Sequence, residues 1–327
     1  MTMKYPLLFF ASLLLMIGSS AAQEISVHDP VMAREGEQYY LFSTGKGIAI
    51  WTSTDMKSWT RQAPVFAQAP RWAAEVVPDF GNHIWAPDIF YFKDQYYLYY
   101  SISSFAKNTS AIGLATSKTL NQASPEYGWT DHGIILQSVP GRDMWNAIDP
   151  NIILDEEGAA WMSFGSFWGG IKLVRLSEDL LSVRNGPEDW FTIARRPRTF
   201  ELNERAPGDA AVEAPFIFKK NNFYYLFISF DLCCRGAEST YKIMVGRSEK
   251  IQGPYLDKEG NNLYNGGGSL LLEGNEDWFG LGHNSAYHFE GKDYLIFHGY
   301  DAHEGGKPKL LSRQIQWDDA GWPSIVY

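Results

Sequence analysis

The chain is poor in cysteine, in basic clusters and in long apolar runs. Of its 327 residues only Cys233 and Cys234 are cysteines, and they are adjacent. No spaced cysteine framework or Cys-rich metal cluster can be built from one such pair. In an oxidising compartment the two could form a vicinal disulfide, a ring that strains its own peptide bond. The other reading is a pair of small buried residues in a loop. No run of Lys and Arg occurs, and the formal charge is −10, so nucleic acid is not an expected partner. No Pro/Ser/Gly-rich linker or low-complexity tract divides the chain. No segment after the first 22 residues is apolar enough to span a bilayer.

Those first 22 residues read as an export signal. Lys4 is followed by an apolar run from Pro6 to Gly18, and Ser20-Ala21-Ala22 supplies small residues at a cleavage site. The run is too short for a transmembrane helix. Residues 1–22 are therefore expected to be a signal peptide and 23–327 a single domain. The mature protein would be secreted, extracellular or periplasmic, with no membrane attachment, and a monomer is expected.

Aromatic residues are abundant, at 15% of the chain. They recur in strand-like runs centred on Tyr40, Tyr97, Trp161, Tyr225 and Tyr294, spaced 57, 64, 64 and 69 residues apart. Strand units repeating at this period predict an all-β fold, a five-bladed β-propeller with four-stranded blades around a central channel. The third strands repeat too. Ile48 to Ser53, Ile112 to Ser117 and Ile243 to Ser248 each alternate large and small residues and end at Ser. A β-sandwich of short strands would not explain such a period.

About ten residues before each aromatic marker stands a polar segment: His28-Asp29-Pro30, Ala86-Pro87-Asp88, Ile148-Asp149-Pro150, Glu213-Ala214-Pro215 and Gly282-His283-Asn284. In a propeller such positions converge on the axis. Asp29, Asp149 and Glu213 are then expected at corresponding places, as carboxylates that raise each other's pKa. An acid beside a proline often only caps a turn. Three gathered at one axis suit the acid–base pair of glycoside hydrolysis. Glu213, longer and flanked by Ala214 and Pro215, suits the acid. Asp29 suits a base holding a water, and Asp149 can tune the acid. Asp88 lies one residue past its proline and is expected on the other face of its strand. The excursions Phe66–Ile84, Asp189–Val212 and Cys233–Thr240 are expected to wall a cleft over the channel mouth.

With these stretches, and with Trp85-Ala86-Pro87-Asp88, Gly165 to Ile171, Cys233-Cys234-Arg235-Gly236, Ser239-Thr240-Tyr241 and Val245 to Ser248, the chain resembles glycoside hydrolase family 43, close to the arabinanases. The resemblance implies an inverting mechanism. Asp29 matches the general base, Glu213 the general acid and Asp149 the residue that adjusts the acid's pKa. It also implies calcium in the channel with His283 and ordered waters around it. Calcium prefers oxygen ligands, so one imidazole alone is a poor cage. Trp85 and Phe105 match sugar subsites, and Trp168 beside Gly169-Gly170 is a third candidate. Blade packing is the alternative role for any one of these aromatics.

The expected substrate is arabinan and its arabino-oligosaccharides, cut at α-1,5-L-arabinofuranosidic bonds, with endo attack as the leading reading. Alternatives are exo attack, or a β-xylosidase or α-L-arabinofuranosidase of the same family. The xylosidases usually carry a β-sandwich after the propeller, for which this sequence has no room. A non-catalytic carbohydrate-binding propeller is the alternative of a different class. It would keep the aromatics without needing all three acids.

Overall fold

The structure is a computed structural model that describes residues 1, 22–78, 80–197 and 210–326. The expected signal peptide lies, but for its two ends, outside the described residues.

Five antiparallel sheets follow one another along the chain, each with its strands in sequence order. Blade one holds β1 (Val31–Glu35), β2 (Gln38–Ser43), β4 (Ala49–Ser53) and β5 (Thr60–Arg61). The two-residue β3 (Gly45–Lys46) leaves blade one to pair with the inner strand of blade two. Blade two holds β6 (His83–Phe92), β7 (Gln95–Ser103), β8 (Ser110–Ser117) and β9 (Thr130–Ser138). Blade three holds β10 (Asn151–Leu154), β11 (Ala160–Phe164), β12 (Ile171–Arg175) and β13 (Phe191–Ala194). Blade four holds β14 (Val212–Lys220), β15 (Phe223–Phe230), β16 (Lys242–Ser248) and β17 (Ser269–Leu272). Blade five holds β18 (Trp278–Phe289), β19 (Lys292–Asp301), β20 (Lys307–Trp317) and β21 (Pro323–Ile325). This is the expected five-bladed propeller.

The aromatic runs are the second strands, and their composition follows from burial on both faces. Successive side chains of a strand point to opposite sides. Tyr96, Leu98 and Tyr100 pack with blade one, while Tyr97 and Tyr99 pack with blade three. Likewise Tyr224, Leu226 and Ile228 face blade three, and Tyr225 and Phe227 face blade five. Five hydrophobic clusters thus fill five blade junctions. The last joins blade five to blade one around Ile25, Val27, Leu41, Trp59 and Ile296. Buried phenols are satisfied locally: Tyr99 donates to the Leu180 carbonyl at 2.6 Å and Tyr255 to the Ile251 carbonyl at 2.7 Å.

Residues 22–28 form no strand, and blade five is built from its own unit. The stretch nevertheless touches it, since Leu310 N–H donates to the Ile25 carbonyl at 3.0 Å. The expected fourth strands of blades three and four are β13 and β17, and β13 lies inside the Asp189–Val212 excursion. One expectation needs correction. Most of the Phe66–Ile84 excursion is not cleft wall: Phe66, Trp72, Ala73, Val76 and Val77 pack into the junction of blades one and two. Among the described residues of that segment, only His83 reaches the cleft. The 198–209 part of the second excursion lies outside the described residues.

Candidate active site

Each inner strand reaches the axis through the same distortion. One residue takes a left-handed conformation: Asp29 (φ 54°), Ala86 (φ 40°), Asp149 (φ 58°), Ala214 (φ 55°) and His283 (φ 47°). In the first four blades a proline follows. Around it the ladder slips in blades two, four and five. Non-glycine residues in this region are strained, and such strain gathers at functional sites.

The five equivalents correct the expected alignment. Asp29 and Asp149 correspond, but Glu213 stands one residue earlier, at the place of His28, Trp85, Ile148 and Gly282. Opposite those five places, on the second strands or one residue past their ends, lie Thr44, Ser101, Gly165, Ser229 and His298. Their side chains link neighbouring blades. Thr44 Oγ1 accepts the Ala86 N–H at 2.8 Å, Ser101 Oγ that of Asp149 at 3.1 Å, Ser229 Oγ that of His283 at 2.8 Å, and His298 Nδ1 that of Asp29 at 3.2 Å. Blade three has no such side chain, because its residue is Gly165. There the Asp149 carboxylate reaches across and accepts the Ala214 N–H at 3.1 Å. The missing side chain is what brings Asp149 beside Glu213.

The three carboxylates share one end of the axis and one cleft, of about 760 Å³. Glu213 accepts from Tyr241 Oη at 2.6 Å and Ser166 Oγ at 3.0 Å. Burial pushes its pKa up, and those two hydrogen bonds pull back only part of the way. Asp149 is also raised, first by burial, then by the nearby Glu213 and Asp29 charges, against the opposing pull of His283. Asp29 behaves oppositely. Burial alone would raise it, but its partner His283, with Nδ1 at 2.9 Å, holds it well below the usual carboxylate range through its charge and its hydrogen bond. Thr44 donates to its second oxygen. The site therefore holds one carboxylate firmly ionised and two shifted towards the protonated form, Asp149 to about 8.

The expected subsite aromatics all line this cleft. Trp85 is held by its indole N–H, which donates to His83 Nδ1 at 3.0 Å. Phe105 stands on the β7–β8 hairpin tip and is 67% exposed. Trp168 is buried, at 3% exposure. Cys233 and Cys234 are bonded to each other and form part of the wall. Further walls were not foreseen: the hairpin tip Ser104–Lys107, and the turn carrying Gly306 and Pro308. Asp88 stays outside, as expected. It is buried where blade two meets blade three, accepts the Ile152 N–H at 2.7 Å, and is raised to about 7 by that burial.

The side chains do not by themselves make a calcium cage. Nδ1 of His283 is taken by Asp29, and the surrounding carboxylates overcome burial and push the imidazole up to about 9. Among the described residues no group of three oxygen ligands gathers at His283. His28, Asp29 and His298 do present ligand atoms within 4.8 Å of one another. Both nitrogens of His298, however, already have hydrogen-bond partners.

Sequence reading missed Tyr241 and Ser166 as partners of Glu213, though both stood in recognised stretches. It also missed the ring of Thr44, Ser101, Gly165, Ser229 and His298. The signal was present: each lies four residues after its aromatic marker.

A propeller with buried acids of opposed protonation at the floor of an aromatic cleft has the make-up of a glycosidase. Residues 23–323 match Glycosyl hydrolases family 43, and the chain belongs to that family. It is 53% identical over 304 residues, 93% of this chain and 87% of the relative, to the extracellular exo-α-(1→5)-L-arabinofuranosidase ArbA of Cellvibrio japonicus. It is 41% identical over 302 residues, 91% and 87% of the two chains, to the extracellular endo-α-(1→5)-L-arabinanase 1 of Bacillus subtilis. The solved structure of Cellvibrio cellulosa α-L-arabinanase with arabinohexaose superimposes with a TM-score of 0.90 at 52% identity, covering 93% of this chain and 96% of that one.

Proposed function

We propose that the protein hydrolyses α-1,5-L-arabinofuranosidic bonds of arabinan and arabino-oligosaccharides, with inversion, outside the cytoplasm. The observation that carries this reading is the opposed protonation of Asp29 and Glu213 on one cleft. Asp29, kept ionised by His283, takes the proton of an attacking water. Glu213, kept protonated by burial, delivers its proton to the departing glycosidic oxygen. Asp149 carries no proton to substrate. Held beside Glu213 by the Ala214 N–H, it shares the buried pocket with that acid, and two carboxyls so close do not readily ionise together, which keeps a proton available for Glu213 to deliver. Trp85 and Phe105 supply faces for the furanose rings, while Trp168, at 3% exposure, lines the cleft floor without a free face. The extracellular naming of both relatives supports export.

Endo attack is the first reading, supported by the Bacillus subtilis relative. Exo attack is the second, favoured by the relative of 53% identity. One time course on linear α-1,5-arabinan, followed by proton NMR and by product sizing, tests all of it. A β-configured first product and an early spread of oligosaccharides are expected. An α-configured first product would sink the inverting mechanism. Release of a single short product from the outset would replace endo by exo attack. No release of reducing ends would leave a binding propeller. Calcium enters this reading only as a water-ligated guest at Nε2 of His283. Dialysis against EDTA tests it through the melting temperature: a drop restored by calcium supports the ion, and an unchanged transition removes it.

A further inference from the structure

At the junction of blades five and one, the N–H acceptor is an imidazole where three other junctions use a hydroxyl. His298 is completely buried, on β19 opposite Gly282. Its Nδ1 accepts the Asp29 N–H at 3.2 Å. A ring nitrogen that accepts carries no proton, so the proton of the neutral ring is on Nε2. Nε2 lies 3.2 Å from Tyr300 Oη, to which it then donates. Tyr300 Oη also accepts the Cys234 N–H at 2.8 Å. A chain of hydrogen bonds thus runs from the disulfide-bearing wall of the cleft to the main chain of Asp29. Nothing in the proposed reaction uses His298, yet a polar ring buried this deeply is costly unless both nitrogens are satisfied.

A hydroxyl would serve the Asp29 N–H alone, as Thr44, Ser101 and Ser229 serve theirs. What the imidazole adds is a second nitrogen that reaches Tyr300. Asp29 has particular need of a fixed main chain. It is held at φ 54° ahead of Pro30, so its backbone tends to relax if released. Its two carboxylate oxygens are already held by His283 and Thr44. The N–H is the third point, and three points fix the aim of the carboxylate.

We propose that His298 is a positioning residue for the general base, fixing the Asp29 main chain through Nδ1 and tying it to the cleft wall through Nε2 and Tyr300. The inference rests on Asp29 being the base. His298→Asn places an amide oxygen where Nδ1 was. His298→Gln carries its amide out to the place of Nε2 and leaves the Asp29 N–H without an acceptor. His298→Leu removes both contacts. Turnover per folded protein is measured on arabinan and on an activated aryl arabinoside, with folding followed by circular dichroism. His298→Gln and His298→Leu are expected to lose about 10- to 100-fold in kcat, with KM changed by less than about threefold. The loss should be equal on both substrates, because both need the activated water. His298→Asn should recover most of the rate. If Gln restores the rate and Asn does not, or if the loss spares the aryl arabinoside, the proposal is overturned. Equal damage by Asn and Gln, tracking thermal stability, overturns it as well. Should the Leu variant fail to fold, the Asn and Gln pair decides alone. A separate variant, Asp29→Asn, tests the underlying assignment: if it retains activity, the base itself is wrong, whatever His298 does.

Discussion

At the scale of the residue, two carboxylates on one cleft differ because their partners differ. Asp29 faces an imidazole that is pushed to about 9, whereas Glu213 faces neutral hydroxyls in a buried pocket. Their substitutions should therefore fail differently. Glu213→Gln should lose about 10²–10⁴-fold on arabinan and far less on an aryl arabinoside whose leaving group needs no proton. Asp29→Asn should lose as much on both. Equal losses for the two variants on both substrates would show that the assigned roles are wrong. Tyr241→Phe makes a finer test. The phenol donates to Glu213 and stabilises the carboxylate, so its removal raises the acid's pKa further. Since the acid works protonated, the alkaline limb of kcat/KM should move to higher pH, with the acid limb unmoved. A shift to lower pH would contradict the hydrogen bond. Of this chemistry the sequence showed the acids, which stand out by type beside prolines. It did not show Tyr241 and Ser166, which stand in loops beside their strands, or His298, because a hydroxyl or imidazole in such a setting looks like packing until the neighbour it meets in the fold is known.

At the scale of the element, each inner strand is bent at one left-handed residue, and the slip of the ladder explains the misplaced alignment of Glu213. Period counting locates a strand to within a residue or two, and a bulge consumes that margin. The strands expected but not located in the sequence, Phe191–Ala194 and Ser269–Leu272, are four-residue outer strands. An outer strand packs on fewer neighbours than a second strand, so its sequence carries less pattern. The cleft walls are loops that touch each other. A Cβ on Gly306 would lie 2.2 Å from the Ala237 nitrogen and 2.4 Å from the Gly236 carbonyl carbon. Gly306 also has φ 80°, which disfavours any side chain. Gly306→Ala should push the disulfide-bearing wall away from its neighbour at a local cost of about 1–3 kcal/mol. The expected readout is a several-fold rise in KM for arabino-oligosaccharides with a smaller change in kcat. An unchanged KM would show that the contact does not shape the cleft.

At the scale of the whole molecule, the repeat was legible because every blade solves the same problem, a second strand buried on both faces. How the ring closes was less legible. Among the described residues no strand is exchanged between the first and last blades, but the N-terminal stretch still contributes a clasp. Lys309 on β20 is 3% exposed, and its ammonium meets Asp301 at 2.7 Å, Glu304 at 2.8 Å and also Glu24. Beside it Ile25 accepts the Leu310 N–H, and Ile25 and Val27 fill the last junction. No sequence pattern joins residue 24 to residue 309; only closure of the ring does. Lys309→Met keeps the length of the side chain and removes its charge, leaving Asp301 buried without its cation. Breaking a buried pair this way costs about 3 kcal/mol or more; the low end applies here because Glu24 and Glu304 are well exposed. Glu24→Gln should cost under about 1 kcal/mol, since the two other acids remain and an exposed partner adds little. Urea unfolding of both variants measures the difference. A Lys309→Met protein that unfolds at the wild-type midpoint would show that apolar packing at the last junction closes the propeller without the clasp.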